Sequence, residues 1–306
     1  MQSASRRAFF TGRRPTGSPW ETFCARMRRT VQGAFIDSGQ TDGVGRARLV
    51  ASDPADVHHA RALCAEYGVV LALDGVPAAT EALTQSLLRV QPGVDMSTVR
   101  EVPDAPGKWF VQPGALVAEV QQAGLRQFDS MPLELTVAAC LADRRLMNVP
   151  TGQVWRTGLA LAGVLLADGT TATLGPFGTQ GRQPLATLTL QQLVPALFRL
   201  SSGASAQTCR QQTLWPSRYR LDALLPDEGH DVNLAHLLPG HGGDLAWIEW
   251  MVFETVDAAL EPATWSGDTE AAEMAGASAY AAQDLDAHTK VSFDPCGIFP
   301  HPGQVL

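Results

Sequence analysis

No stretch of the 306-residue chain reaches the roughly 18 consecutive apolar residues that a membrane-spanning helix needs, so no transmembrane segment is expected. Cys-x-x-Cys pairs are absent too. The five cysteines (Cys24, Cys64, Cys140, Cys209 and Cys296) are odd in number and far apart. That pattern excludes a disulfide framework and argues against a zinc or iron–sulfur ligand set, so buried free thiols are expected. Charged residues make up only 18% and apolar residues 45%, which excludes a disordered chain and allows a substantial core in one large domain or two ordinary ones. Collagen-like, coiled-coil and low-complexity compositions are missing. The net charge of -8 excludes a general nucleic-acid binder. Also missing are G-x-G-x-x-G behind a strand, G-x-x-x-x-G-K-[ST], G-x-S-x-G and H-E-x-x-H, so no familiar catalytic constellation announces itself.

What is present begins with an asymmetry of charge. Seven arginines (Arg6, Arg7, Arg13, Arg14, Arg26, Arg28 and Arg29) stand in the first 30 residues against a single acid, Glu21. Ser5-Arg6-Arg7-Ala8-Phe9-Phe10 looks like a twin-arginine export signal, but the residues that follow hold no apolar h-region. The expectation is therefore a cytoplasmic protein whose residues 1–45 form a basic arm and a helix at about 20–33. Such an arm suits docking on an acidic partner.

From Ala47 onward the pattern is regular. Ala47–Ala51 reads as a strand, and Pro54–Tyr67 as a helix with Val57, Ala60, Leu63 and Cys64 on one face, Ser52 or Asp53 as its cap and Gly68 at its end. Val69–Leu73, Leu87–Val90 and Trp109–Gln112 read as strands, and Leu116–Ala123 as a helix ended by Gly124. Ala160–Ala167 and Thr170–Leu174 around Asp168-Gly169 form a hairpin, and Leu245–Val256 is a further strand. Residues 257–290, rich in Ala, Glu, Asp and Ser, read as a polar connector or a surface helix pair. Phe293–Phe299 turns apolar again and is expected to pack back on the body. The fold class is α+β with a mixed sheet. His58 and His59 are expected on a solvated helix face. Around His241, the glycines Gly240, Gly242 and Gly243 permit positive φ and close backbone approach to a ligand. A metal there is disfavoured, because only His236 stands near.

Several segments, in order, resemble the FAD-linked oxidases of the D-lactate dehydrogenase and glycolate oxidase type, whose flavin domain is shared with vanillyl-alcohol oxidase and p-cresol methylhydroxylase. The strand–helix–strand of Leu49–Leu73 is similar to that family's opening. Met96-Ser97 and Val111-Gln112-Pro113-Gly114 are similar to its D-[LM]-S and V-x-P-G patterns. Thr136-Val137-Ala138-Ala139-Cys140-Leu141-Ala142 stands where T-[IV]-G-G-x-[IL]-A is expected, and Thr151–Arg156 where Y-G-x-x-R-D is expected. Leu234–Leu245 resembles L-A-x-L-L-x-G-S-E-G-T-L, and Phe293–Phe299 the closing F-D-P-x-G-I.

The resemblance implies a two-lobed FAD-binding domain of the p-cresol-methylhydroxylase type over residues 46–257. Its lobes would lie near 47–100 and 108–256, followed by a truncated cap and closing segment at 258–306. It also implies non-covalent FAD between the lobes, a small 2-hydroxy acid as substrate, and an iron–sulfur or second flavin subunit as partner. The cofactor contacts it implies are Asp74, Gly75, Val76, Pro77, Ala78, Ala79, Thr136, Val137, Ala138, Ala139, Gly152, Arg156, Gly240, Gly242, Gly243 and Ile248; it assigns no catalytic residue. The family's first phosphate loop reads P-R-G-G-G-T-S, and here only Gly75 of its glycines survives. Asp74 brings an anion in place of a cation, Pro77 removes an N–H donor, and Ala138-Ala139 replaces two glycines. The alternative is a catalytically degenerate flavin-fold protein that serves as a scaffold or partner subunit.

Overall fold

The computed structural model describes residues 17–76, 84–177, 185–257, 259–260 and 277–301. Helix and sheet are mixed, and the strands form two separate sheets. The first has the order β1-β2-β4-β3, built from β1 (Ala34–Thr41), β2 (Val44–Ala51), β3 (Val70–Leu73) and β4 (Leu87–Pro92). β1 runs antiparallel to β2, whereas β2, β4 and β3 are parallel. Helix α2 (Pro54–Tyr67) makes the crossover from β2 towards β3. Its limits follow from chemistry legible in the chain. Asp53 accepts the Ala55 N–H at 2.7 Å, Pro54 fills the first helical position, and Gly68 takes the left-handed conformation at φ 65° that ends the helix.

The second sheet is antiparallel throughout, in the order β5-β6-β9-β7-β8. Its strands are β5 (Val99–Glu101), β6 (Lys108–Val111), β7 (Leu159–Leu165), β8 (Thr171–Leu174) and β9 (Trp247–Glu254). The Asp168-Gly169 hairpin is present, with Gly169 at φ 91° and Thr170 N–H bonded to the Asp168 carboxylate. One face of this sheet is covered by α3 (Val117–Gln122), α4 (Val137–Ala142), α5 (Leu188–Ser201), α6 (Ala204–Arg210) and α7 (Ala277–Phe293), which share one apolar core with it.

Three expectations are corrected. Residues 19–41 do not precede the fold. Helix α1 (Pro19–Thr30), closed by a Ser18–Glu21 capping box, buries Trp20, Phe23 and Met27 under the first sheet, and β1 is that sheet's edge. The segment after 257 is not merely polar. Within it α7 buries Ala281, Ala282 and Leu285 against α5 and α6, because alanines allow close helix approach without large side chains. Cys24, Cys64, Cys140 and Cys209 are buried free thiols, but Cys296 is exposed.

The two cores are distinct yet stitched together. Leu165 and Trp247 from the second sheet and Ala167 from its β7–β8 turn pack into the core of the first, as do Ile298 and Phe299 from the closing segment. The Leu71 N–H donates to the Ile298 carbonyl at 2.8 Å, so the chain's last described turn lies along β3. Among the described residues no helix is long and apolar enough to cross a membrane.

Candidate functional site

The expected cofactor contacts converge only in part. Pro77, Ala78 and Ala79 lie outside the described residues. Asp74, at the end of β3, is neutralised by Arg48 at 2.8 Å and Arg89 at 3.8 Å. Gly75 has φ 83°, and a methyl group there would lie 3.3 Å from the Ala139 Cβ. Val76 is buried against Ala139 and Ala142. The loop after β3 and helix α4 therefore meet side chain to side chain.

Helix α4 begins at its cap, Thr136, whose hydroxyl accepts the Ala139 N–H at 3.2 Å. The Val137 N–H donates to the Ala115 carbonyl at 2.7 Å, and the Ala138 N–H to Pro113 at 3.2 Å. All three leading N–H groups of this short helix are thus spent on the protein. A phosphate placed there would find no free donor.

Gly240, Gly242 and Gly243 have φ of 77°, 70° and 76°, as a glycine-rich turn requires. Their freedom serves packing against the protein. Gly240 and Gly242 donate to the Leu141 and Ala142 carbonyls at the end of α4, both at 2.8 Å. A Cβ on Gly242 would strike the Arg218 guanidinium at 1.9 Å, and one on Gly243 would stand 2.9 Å from the Leu73 Cβ. Ile248 faces the same seam between the sheets. Gly152 and Arg156 do not join it. The Gly152 N–H donates to Asp222, and Arg156 sits on a turn before β7 whose Trp155 lines another groove beside His230.

The described residues Leu73, Ala138, His241, Trp247, Ile248 and Phe299 line a small, partly open cavity of about 10 Å³ in the seam. That is room for roughly one water molecule. The described residues of the seam therefore do not fit an extended dinucleotide, and no step is routed through one. Yet its wall is not wholly apolar. Both ring nitrogens of His241 and the indole N–H of Trp247 are buried without a hydrogen-bond partner. Burial, with Arg218 and Lys290 nearby, pushes His241 down to about 3, so the ring is neutral.

Behind the glycine turn lies a buried ionic cluster that sequence reasoning missed. Arg218 Nε stands 2.5 Å from Asp244 Oδ2. The Lys290 ammonium, 1% exposed, donates to the Asp244 carbonyl at 2.7 Å, to Asp294 Oδ2 at 2.6 Å and to the Phe299 carbonyl at 3.1 Å. Asp294 also accepts the N–H groups of Ile298 and Phe299 at 2.9 and 2.8 Å. Burial raises Asp244 to about 7, against the opposing pull of Arg218 and Lys290. Burial also lowers Lys290, against Asp294. The signal available in the sequence was a lysine four residues before an aspartate in the closing motif.

A second cleft lies on the other side of β9. One residue of β9 is extra where Gly163 pairs Trp250 and Val164 pairs Ile248. This bulge at Glu249 re-aims its carboxylate. Its Oε1 meets His58 Nε2 of α2 at 2.6 Å. His58, expected on a solvated face, is thus half-buried in a contact that ties α2 to β9; His59 is exposed as expected. Among the described residues no group of three or more His, Cys, Asp or Glu is arranged to hold a metal.

No family model matches the chain, and no curated protein does either. It is similar in structure to 4-ethylphenol oxidase from Gulosibacter chungangensis, at 13% identity and a TM-score of 0.44, over 81% of this chain and 44% of that one. It is similar to a variant of BBE-like 1 from Physcomitrella patens, at 9% identity and a TM-score of 0.42, over 76% and 44%. It is also similar to alkyldihydroxyacetonephosphate synthase, at 15% identity and a TM-score of 0.39, over 69% and 32%. The chain spans less than half the length of each. At these scores the overlap is a similarity of outline, and it identifies no substrate, cofactor or activity for this chain.

Proposed function

We propose that this chain is a flavin-fold protein that acts as a scaffold or partner subunit in a redox complex, its inter-sheet seam closed by its own side chains. The observation that carries this reading is the void of about 10 Å³ where the motif order calls for a dinucleotide. Its neighbours are consistent with it: Val76 packs on Ala139, and the leading N–H groups of α4 are already bonded. The partner in this reading is an iron–sulfur or second flavin subunit that supplies the redox centre, since a closed seam leaves none here. Affinity purification from the native cell tests it. The expected result is a colourless, folded chain that brings down a flavin- or iron–sulfur-containing subunit. A colourless chain with no such partner would overturn it.

A second reading keeps FAD, which is consistent with the order of the motifs. In it the chain is the flavin domain or flavin subunit of a dehydrogenase for a small 2-hydroxy acid, with a truncated cap. One observation favours it: the unpartnered nitrogens of His241 and Trp247 face the seam, and buried polar groups ordinarily have partners. An absorbance band at about 450 nm, the flavin signature, in protein as purified would establish this second reading and displace the first.

A further inference from the structure

The cleft beside His58 and Glu249 differs from the seam in every property that matters for a ligand. It holds about 520 Å³, within the range of roughly 300–1,000 Å³ typical of small-molecule sites. Its walls come from β7, β8 and β9 of the second sheet, from α2 and from the start of α5. His58 belongs to α2 and Glu249 to the bulge of β9, while Thr171 and Thr173 stand two apart on β8 and so share a face of that strand. Trp250 forms a flat wall. Its indole lies on the bare backbone of Gly163, where a Cβ would be 2.1 Å from Nε1. The ring is also stacked on Phe110 with centroids 6.1 Å apart. Gly163 is therefore required for close approach, and the indole is held in place rather than free to collapse into the cleft.

The charge of the lining selects the ligand. Among the described residues no lysine or arginine lines it; the ionisable groups there are the Glu249 carboxylate and the His58 imidazole that it meets. Among the described lining residues no lysine or arginine offsets Glu249, so phosphates and carboxylic acids are disfavoured. A carboxylate, an imidazole and threonine hydroxyls beside an indole face suit a neutral ring that has hydroxyl donors on its rim and C–H groups on its face. We propose that this cleft binds a small neutral polyhydroxylated ring, a free monosaccharide or the ribosyl part of a nucleoside. The bulge that turns Glu249 towards the cleft fits such a role, since a regular strand would send adjacent side chains to opposite faces.

Saturation-transfer NMR on the full chain tests this, with D-glucose, D-ribose and adenosine as probes and lactate as the anionic control. The expected result is transfer to the ring protons of at least one free sugar or to the ribose protons of adenosine, and none to lactate. Transfer to a free sugar would mark a monosaccharide site, and transfer confined to adenosine's ribose a nucleoside site. Glu249→Gln keeps the shape and removes the charge, and binding should weaken at least about tenfold. Trp250→Ala should abolish it. If Trp250→Ala does not fold by circular dichroism, Thr173→Val provides the second readout, with an expected loss of about threefold. No transfer to any probe would overturn the proposal. So would transfer to lactate, transfer confined to the adenine protons, or sugar binding that survives in the folded variants.

Discussion

Four consecutive residues of β9 separate two regions with opposite chemistry. Trp247 and Ile248 face the seam, where the void is about 10 Å³, whereas Glu249 and Trp250 face a cleft of about 520 Å³. In the seam the backbone donors of α4 are spent, the glycine turn is packed against Leu73 and Arg218, and a buried ionic cluster ties the closing segment to the body. In the cleft a carboxylate, an imidazole and hydroxyls border open space. The glycines of the turn take positive φ, but what approaches them is protein.

The comparison breaks first if the seam is not structural. Lys290→Met removes one half of a buried ion pair and leaves the Asp294 carboxylate uncompensated, so it should cost about 3–5 kcal/mol in urea unfolding. A loss below about 1 kcal/mol would mean that the cluster does not hold the seam. Next comes Val76→Ala, which should cost about 0.5–1.5 kcal/mol by opening a small cavity against Ala139 and Ala142; it is read in the same assay.

Asp56 probes the helix that carries His58 to the cleft. It is buried, which opposes its charge, but the N–H groups of Gln32, Ser52 and Gly33 outweigh burial and hold its pKa below the ordinary value. A depressed folded value means its stabilisation is present above the unfolded value of about 3.9 and lost as pH falls through the folded one. Asp56→Asn should therefore lower stability at neutral pH by about 1 kcal/mol and flatten the acid limb of the pH–stability curve; parallel curves would contradict this. The smallest effect belongs to the cleft. The His58–Glu249 pair is partly exposed, so Glu249→Gln should change stability by less than about 1 kcal/mol, while altering ligand binding. A large destabilisation would make the pair a structural brace instead.

Much of the frame was legible because it rests on local signals. Pro54 and Gly68 bound α2, Asp168-Gly169 turns the β7–β8 hairpin, and runs of apolar residues mark β3, β4 and β9. Strand β1 was missed because Ala34–Thr41 is a mostly exposed edge strand whose short apolar start, Ala34-Phe35-Ile36, gives way to Asp37-Ser38-Gly39-Gln40-Thr41. The buried face of α7 was missed because alanine marks a helix interface weakly. The candidate site was half legible. Motif order identified the loop after β3, α4 and the glycine turn as neighbours, but not that Val76 and Ala139 would fill the space between them. The cleft was illegible: His58 and Glu249 are 191 residues apart, and the bulge that pairs them depends on register, which no local pattern reports.

The central claim is that the seam is closed by the chain itself. It is tested most directly by unfolding the protein, refolding it by dialysis with excess FAD, removing free flavin and recording the visible spectrum. The account predicts a folded, colourless protein. A band at about 450 nm, with one FAD held per chain, would contradict it.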